Sequence, residues 1–321
     1  MKKIVLAFAL VAFTGIGAQA QQLARYSQYM FNQLVLNPGY TGSSEGLSIT
    51  AIGRMQWVNI KGAPNTVSLS AHSPLGADKK AGIGGFLEYD EIGMHRKSSI
   101  FASYAYKFIL GESRFSIGLN GGLSMLQSNY TQATGNELID IGIDPAFAQD
   151  ITRLMPNFGV GMYWYRPNRF YVGLSAPQLL ENRLDENGDA NLEKVAHQYR
   201  HYIATAGLIV GRSNFRVRPS ILVKAVPTYA PIQTDVSLMF LIKDAIWFGG
   251  SYRTAFGGGK SFESESLDFI AAFQLKNGLK IGYAYDLTLS QLSSYTSGSH
   301  EIMLGYDFKG KGVRYHTPRY F

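Results

Sequence analysis

Apolar and polar residues alternate with a two-residue period over much of the chain, most regularly in Phe115-Ser116-Ile117-Gly118-Leu119-Asn120-Gly121-Gly122-Leu123-Ser124-Met125. Successive side chains of a strand point to opposite faces, so one face here reads Phe, Ile, Leu, Gly, Leu, Met and the other Ser, Gly, Asn, Gly, Ser. A small, polar second face suits a packed or wet interior, whereas the exposed face of a water-soluble sheet would be richer in Lys and Glu. The same period runs through Leu279, Ile281, Tyr283, Tyr285 and Leu287, and through Ile302, Leu304, Tyr306 and Phe308. Each run is about ten residues long, the length that a tilted strand needs to cross an outer membrane.

Applied to the whole chain, the pattern predicts about fourteen strands, at 47–57, 64–72, 81–91, 97–109, 114–128, 156–166, 169–176, 200–211, 214–225, 232–242, 245–253, 265–276, 279–288 and 299–308. The connections carry as much information as the strands. Tight turns fall at Leu110-Gly111-Glu112-Ser113, Pro167-Asn168, Arg212-Ser213, Lys243-Asp244 and Asn277-Gly278, the last two suited to two-residue hairpins. Most of the alternate connections are longer, above all 129–155 and 177–199. An even number of strands with short and long connections alternating predicts an all-β fold, a closed antiparallel outer-membrane barrel with tight turns and both chain ends on the periplasmic side. Closure is obligatory in lipid, where no water satisfies free N–H and C=O groups. Tyr104, Tyr106, Tyr163, Trp164, Tyr165, Trp247, Tyr252, Tyr283 and Tyr306 lie near strand centres or ends, and those near the ends suit interfacial girdles.

Composition agrees. Only 17% of residues are charged, 13% are aromatic, and there are 35 glycines, a profile a water-soluble domain with its usual quarter of charged residues does not show. Lys2 and Lys3 precede an apolar run from Ile4 to Phe13 and a small-residue Ala18-Gln19-Ala20 site, which reads as a signal peptide with a mature start at Gln21. No later stretch approaches the roughly 18 to 20 apolar residues of a membrane-spanning helix. Cysteine is absent, which excludes disulfides, thiol chemistry and a lipid-modified N-terminus. The net charge of +7 comes from dispersed residues (Arg25, Arg54, Lys61, Arg96, Lys97, Arg114, Arg212, Arg216 and Arg218) without a block or stripe, so nucleic acid is not an expected partner. Turns, lumen and acidic lipid headgroups of the outer membrane are their expected surroundings. The chain thus divides into a signal peptide (1–20), an N-terminal periplasmic or plug-like segment (21–46), a transmembrane barrel (47–308) and a C-terminal periplasmic tail (309–321).

The mature chain opens with Tyr26-Ser27-Gln28-Tyr29-Met30-Phe31-Asn32, followed by Leu36-Asn37-Pro38-Gly39-Tyr40-Thr41-Gly42. These words resemble the opening of PorP/SprF proteins of the type IX secretion system of Bacteroidota, with Gly39 and Thr41 in place of two usual alanines. The resemblance continues in Arg54-Met55-Gln56-Trp57, Ala63-Pro64-Asn65-Thr66, His72-Ser73-Pro74, Phe170-Tyr171-Val172-Gly173-Leu174-Ser175-Ala176-Pro177, Gly282-Tyr283-Ala284-Tyr285-Asp286 and Gly298-Ser299-His300-Glu301-Ile302. It implies a Gram-negative outer-membrane barrel that holds or helps export a secreted cargo protein, such as a gliding adhesin, through its C-terminal signal domain. It also implies contact with other secretion components at the periplasmic face. Read for itself, the opening segment is too aromatic for a free tail, and Asn37-Pro38-Gly39 is a turn signal. Tyr26, Gln28, Tyr29, Phe31, Asn32, Asn37, Pro38 and Tyr40 are therefore the candidate residues for binding a partner or sealing the barrel mouth; covering apolar surface at the periplasmic rim is the other reading.

Catalytic and cofactor motifs are not found. His197 and His201 share a spacing that binds metal on a helix, but on a strand they would stand about 13 Å apart at about 3.3 Å per residue. Gly257-Gly258-Gly259-Lys260-Ser261 ends like a phosphate loop, but Thr254 stands where its first glycine belongs, and a flexible outer loop is expected. Asp185-Glu186-Asn187-Gly188-Asp189 lacks the spacing of a calcium loop. Glycines 82, 84, 85, 159 and 161 fall inside strands, where they mark bends or close approach. No catalytic residue, metal or cofactor is assigned. A porin-like or hydrophobic-solute channel is the alternative to a binding component.

Overall fold

The computed structural model describes residues 23–129, 150–182, 198–212, 214–227, 230–257 and 260–308. The expected signal peptide and C-terminal tail, His197, Asp185–Asp189 and most of the two longest connections lie outside these residues. The strands are β1 (Ser48–Met55), β2 (Asn65–Leu75), β3 (Ala81–Ile92), β4 (His95–Leu110), β5 (Ser113–Ser128), β6 (Ile151–Arg166), β7 (Phe170–Gln178) and β8 (His201–Leu208). They continue with β9 (Val210–Arg212), β10 (Phe215–Val226), β11 (Ala230–Ile242), β12 (Ile246–Gly257), β13 (Lys260–Gln274), β14 (Leu279–Thr288) and β15 (Ser299–Asp307). Apart from β8 and β9, strands adjacent in sequence pair antiparallel, and β1 closes the ring on β15 from Ser48↔Asp307 to Met55↔His300. β8 and β9, on either side of Ile209, both pair with β10 and act as one stave, so the wall is a closed barrel of fourteen strands.

Strands begin and end within a few residues of the sequence expectation, with two informative differences. β6 starts at Ile151 and carries Pro156 within its ladder opposite Leu123. β12 and β13 run on until Gly257 pairs with Lys260, so 257, 260 and 261, expected in a loop, belong to strands. The turns at one end are all short, with left-handed φ where two-residue hairpins need it: Lys243 at 49° and Asp244 at 55°. By the rule for outer-membrane barrels this end is periplasmic. At the other end the described connection 93–94 is also short.

The two faces of the wall separate as expected. Leu119 and Leu123 are 57% and 43% exposed to the membrane, while Asn120 and Ser124 between them are buried inside. Tyr104, Tyr106, Trp164, Tyr283 and Tyr306 also face outward. Tyr163, Tyr165 and Trp247 do not; they turn into the lumen with Tyr171, Met239 and Leu241 and form an aromatic core in the periplasmic half. The outer half of the lumen carries charge instead: Arg54, Asp235, Arg253, Asp268, Asp286 and Glu301 are all buried.

Candidate functional site

Residues 23–46 make no strand, yet they are the most buried stretch among the described residues. Expected to pack into or across the barrel mouth as a plug or seal, or to cover its periplasmic rim, they run the height of the lumen. Arg25 meets Glu265, whose carbonyl accepts from Leu289 N–H just beyond the outer end of β14. At the other end Lys79, in the periplasmic turn after β2, donates to the Glu45 carbonyl at 3.0 Å. Between these ends the chain is compacted by three single 3-10 turns, Tyr29–Phe31, Gln33–Val35 and Pro38–Tyr40.

The outer part of the segment is fixed by charge. Glu301 accepts the backbone N–H groups of Ser27 at 2.8 Å and Gln28 at 2.7 Å, and Gln28 Nε2 donates to the Glu301 carbonyl at 3.3 Å. Arg54 donates to Ser27 Oγ at 2.7 Å, to Asp286 at 2.6 Å and to Glu301 at 3.3 Å. Arg253 continues the network to Asp235 at 2.9 Å and to Asp268 and Asp286 at 3.4 Å each. Four carboxylates thus face two guanidiniums. The imbalance suits a segment whose residues 23–44 carry Arg25 and no acid, and whose N–H groups point at Glu301. Buried charge networks add little net stability, but removing one member leaves the others uncompensated, so their effect is to fix position. Tyr26 donates to Glu88 at 2.7 Å.

The periplasmic part is fixed by shape. Asn37 caps the third 3-10 turn by accepting Gly39 N–H at 2.8 Å, and Pro38 supplies the preset φ of its first position. The Asn37 amide donates to the Met162 carbonyl at 2.9 Å. Ser116 and Ser175 donate to the Gly39 and Leu36 carbonyls at 2.7 and 2.6 Å, and Lys107 caps the Gly42 carbonyl. The wall is notched where this backbone passes. A Cβ on Gly118 would stand 2.2 Å from the Pro38 oxygen, one on Gly161 2.0 Å from Asn37 Oδ1, and one on Gly82 2.5 Å from the Thr41 oxygen. Nearer the outer part, Gly282 makes the same room for Gln28, at 2.2 Å from its Oε1. Tyr40 packs edge-on against Tyr163 and His72 at 5.3 and 5.1 Å between ring centres, and Phe31 against Trp247 at 5.6 Å.

All eight candidate residues of the opening box therefore contact the wall: Tyr29 sits between the Ser220 and Ser237 hydroxyls at 3.2 Å each, and Asn32 accepts from Ser70 at 2.7 Å. Ser27, Arg54, Arg253, Asp286 and Glu301 belong to the same arrangement and were not picked out by sequence. For the four other than Ser27 the signal was a charged residue at an inward position of a strand whose other face is apolar. A cavity of about 30 Å³ remains beside the segment, lined by Phe31, Tyr40, His72, Arg218, Lys280 and Asp307 among others. That is room for a water or two.

A family model described as "Type IX secretion system membrane protein PorP/SprF" matches residues 18–306. No curated protein matches the chain. Among solved structures, the CymD monoaromatic hydrocarbon channel is similar at a TM-score of 0.53 and 12% identity, over 92% of this chain and 96% of that one. The toluene transporter TbuX of Ralstonia pickettii is similar at a TM-score of 0.51 and 9% identity, over 90% and 96%. At such identities the likeness is one of fold: a barrel of this architecture with its strands in this order.

Proposed function

The chain belongs to the type IX secretion system PorP/SprF family of membrane proteins, an outer-membrane barrel by its fold, and we propose that it is a non-catalytic binding component that anchors or helps export a secreted cargo protein. The cargo is recognised through the C-terminal signal domain such proteins carry, and other secretion components meet the barrel at its periplasmic face. The observation that carries the reading is the filling of the lumen by residues 23–46. These residues are held by a buried charge network in the outer half and seated in glycine notches in the periplasmic half. A solute path needs a continuous opening, and the space beside the segment, about 30 Å³, has room for only a water or two. In this reading the segment is the barrel's own plug, and the outer loops do the binding.

Planar-bilayer conductance of the purified protein tests this. The expected result is a closed barrel at background conductance, with steady openings once residues 23–44 are deleted. Large steady openings of the intact protein would overturn the reading in favour of a channel.

A further inference from the structure

Two outer connections of moderate length, 56–64 and 289–298, are joined to each other. Val58 N–H donates to the Gly298 carbonyl at 2.9 Å, and the Val58 carbonyl accepts from Ser297 N–H at 3.0 Å and from the Thr296 hydroxyl at 3.0 Å. Asn59 Nδ2 donates to Ser297 Oγ at 2.6 Å, and Trp57 N–H to Ser299 Oγ at 3.2 Å. The neighbouring hairpin joins through Gly93 N–H to the Gly62 carbonyl at 2.9 Å. From the wall, the Tyr285 hydroxyl donates to the Ser297 carbonyl at 3.0 Å. The loops are thus locked onto one another and onto β14. Their conformation is also strained: Trp57 at φ 47° and Asn59 at φ 79° occupy the left-handed region, which a bulky side chain rarely enters without surrounding bonds to hold it there.

What this rigid corner presents outward is specific in kind. Tyr295 is 74% exposed, the most exposed of the large apolar side chains among the described residues. Around it the loops read Leu-Ser-Gln-Leu-Ser-Ser-Tyr-Thr-Ser-Gly and Gln-Trp-Val-Asn-Ile-Lys-Gly-Ala-Pro, with Lys61 the only formal charge. A surface that reads lipid headgroups or nucleic acid gathers basic residues. Tyr and Trp anchors set among Ser, Asn, Gln and Gly are instead the composition by which binding loops grip folded proteins, and locking them beforehand reduces the ordering cost of association.

We infer that the joined loops 56–64 and 289–298 are a docking platform for a folded protein domain of neutral, hydrogen-bonding surface, with Tyr295 as its aromatic anchor. The near absence of charge on the platform is what selects a neutral partner surface. The inference rests on the proposed function in taking that domain to be the C-terminal domain of the exported cargo.

The test uses whole cells of the native host. A photo-crosslinking amino acid replaces Tyr295, with the same replacement at membrane-facing Leu119 as control, and Tyr295→Ala is assayed for surface-held cargo. The expected result is an adduct at 295, not at 119, containing a secreted polypeptide with the type IX C-terminal domain. Surface-held cargo should fall by about tenfold in Tyr295→Ala, as for loss of an aromatic anchor, while heat-modifiable mobility shows the barrel inserted. Absence of that adduct, or unchanged cargo in Tyr295→Ala, overturns the platform. If deleting the whole protein still empties the surface, the function stands and docking lies elsewhere; if that deletion also leaves the cargo in place, the function itself falls.

Discussion

The glycine notches permit a stringent test of how the N-terminal segment is seated. Gly118 and Gly121 lie three positions apart on β5, one facing the lumen and one the membrane. A methyl group on Gly118 would meet the Pro38 carbonyl oxygen at 2.2 Å and the Gly39 nitrogen at 2.6 Å, both backbone atoms that cannot swing aside, whereas one on Gly121 meets nothing within 4 Å. Replacing glycine by alanine inside a strand should by itself gain about 0.5–1 kcal/mol through lost freedom of the unfolded chain. Gly121→Ala should show that gain unopposed. In Gly118→Ala it is opposed by overpacking, about 1–3 kcal/mol, so the two variants should differ by about that amount. The assay is the denaturant midpoint of heat-modifiable mobility in lipid vesicles, repeated in a barrel lacking residues 23–44, where the difference should vanish. A Gly118→Ala barrel as stable as Gly121→Ala, or a difference that survives the deletion, would refute the seating.

Other expectations follow from the same geometry. Arginine at Leu119 should cost about 2–4 kcal/mol in folding free energy as a charge facing hydrocarbon; arginine at Asn120 should be limited by lumen space, and the reverse order in a folding titration would shift the facing by one residue. Glu301→Ala orphans the Ser27 and Gln28 N–H groups and unbalances Arg54, at a cost of about 3–5 kcal/mol, and should expose the N-terminal segment to protease before the wall unfolds. Since the chain has no cysteine, single cysteines at Ser293 and Asn277 should label oppositely with an impermeant thiol reagent on intact cells, Ser293 readily and Asn277 not.

Much of the wall was legible because lipid imposes a strict rule: outward residues must be apolar, and a period of two follows for every strand. β5, β14 and β15 show it without interruption, and Lys243-Asp244 and Asn277-Gly278 mark their turns by residue type. One local signal misled: residues 257, 260 and 261 are expected in a loop, but the β12–β13 ladder runs on until Gly257 pairs with Lys260. Tyr163, Tyr165 and Trp247 fit girdle positions by type, but the strand register turns them inward.

The opening box could be recognised as buried from its aromatics, but its depth could not. That depth is set by partners such as Glu301, 274 positions from Ser27 in sequence, and by Gly118 and Gly161, whose lack of a side chain gives no hint of what passes beside them. The loop pair 56–64 and 289–298 is hidden for the same reason, since its bonds connect residues 238 positions apart.

Whether this barrel holds an exported protein at the cell surface, as proposed, is decided by removing it. In a deletion strain, the amount of secreted protein bearing the type IX C-terminal domain is measured on the surface and in the medium, with the intact gene restored as control. Such a protein is expected to leave the surface, recovered in the medium or retained inside, and to return when the barrel is restored. An unchanged surface amount in the deletion strain would contradict the proposal.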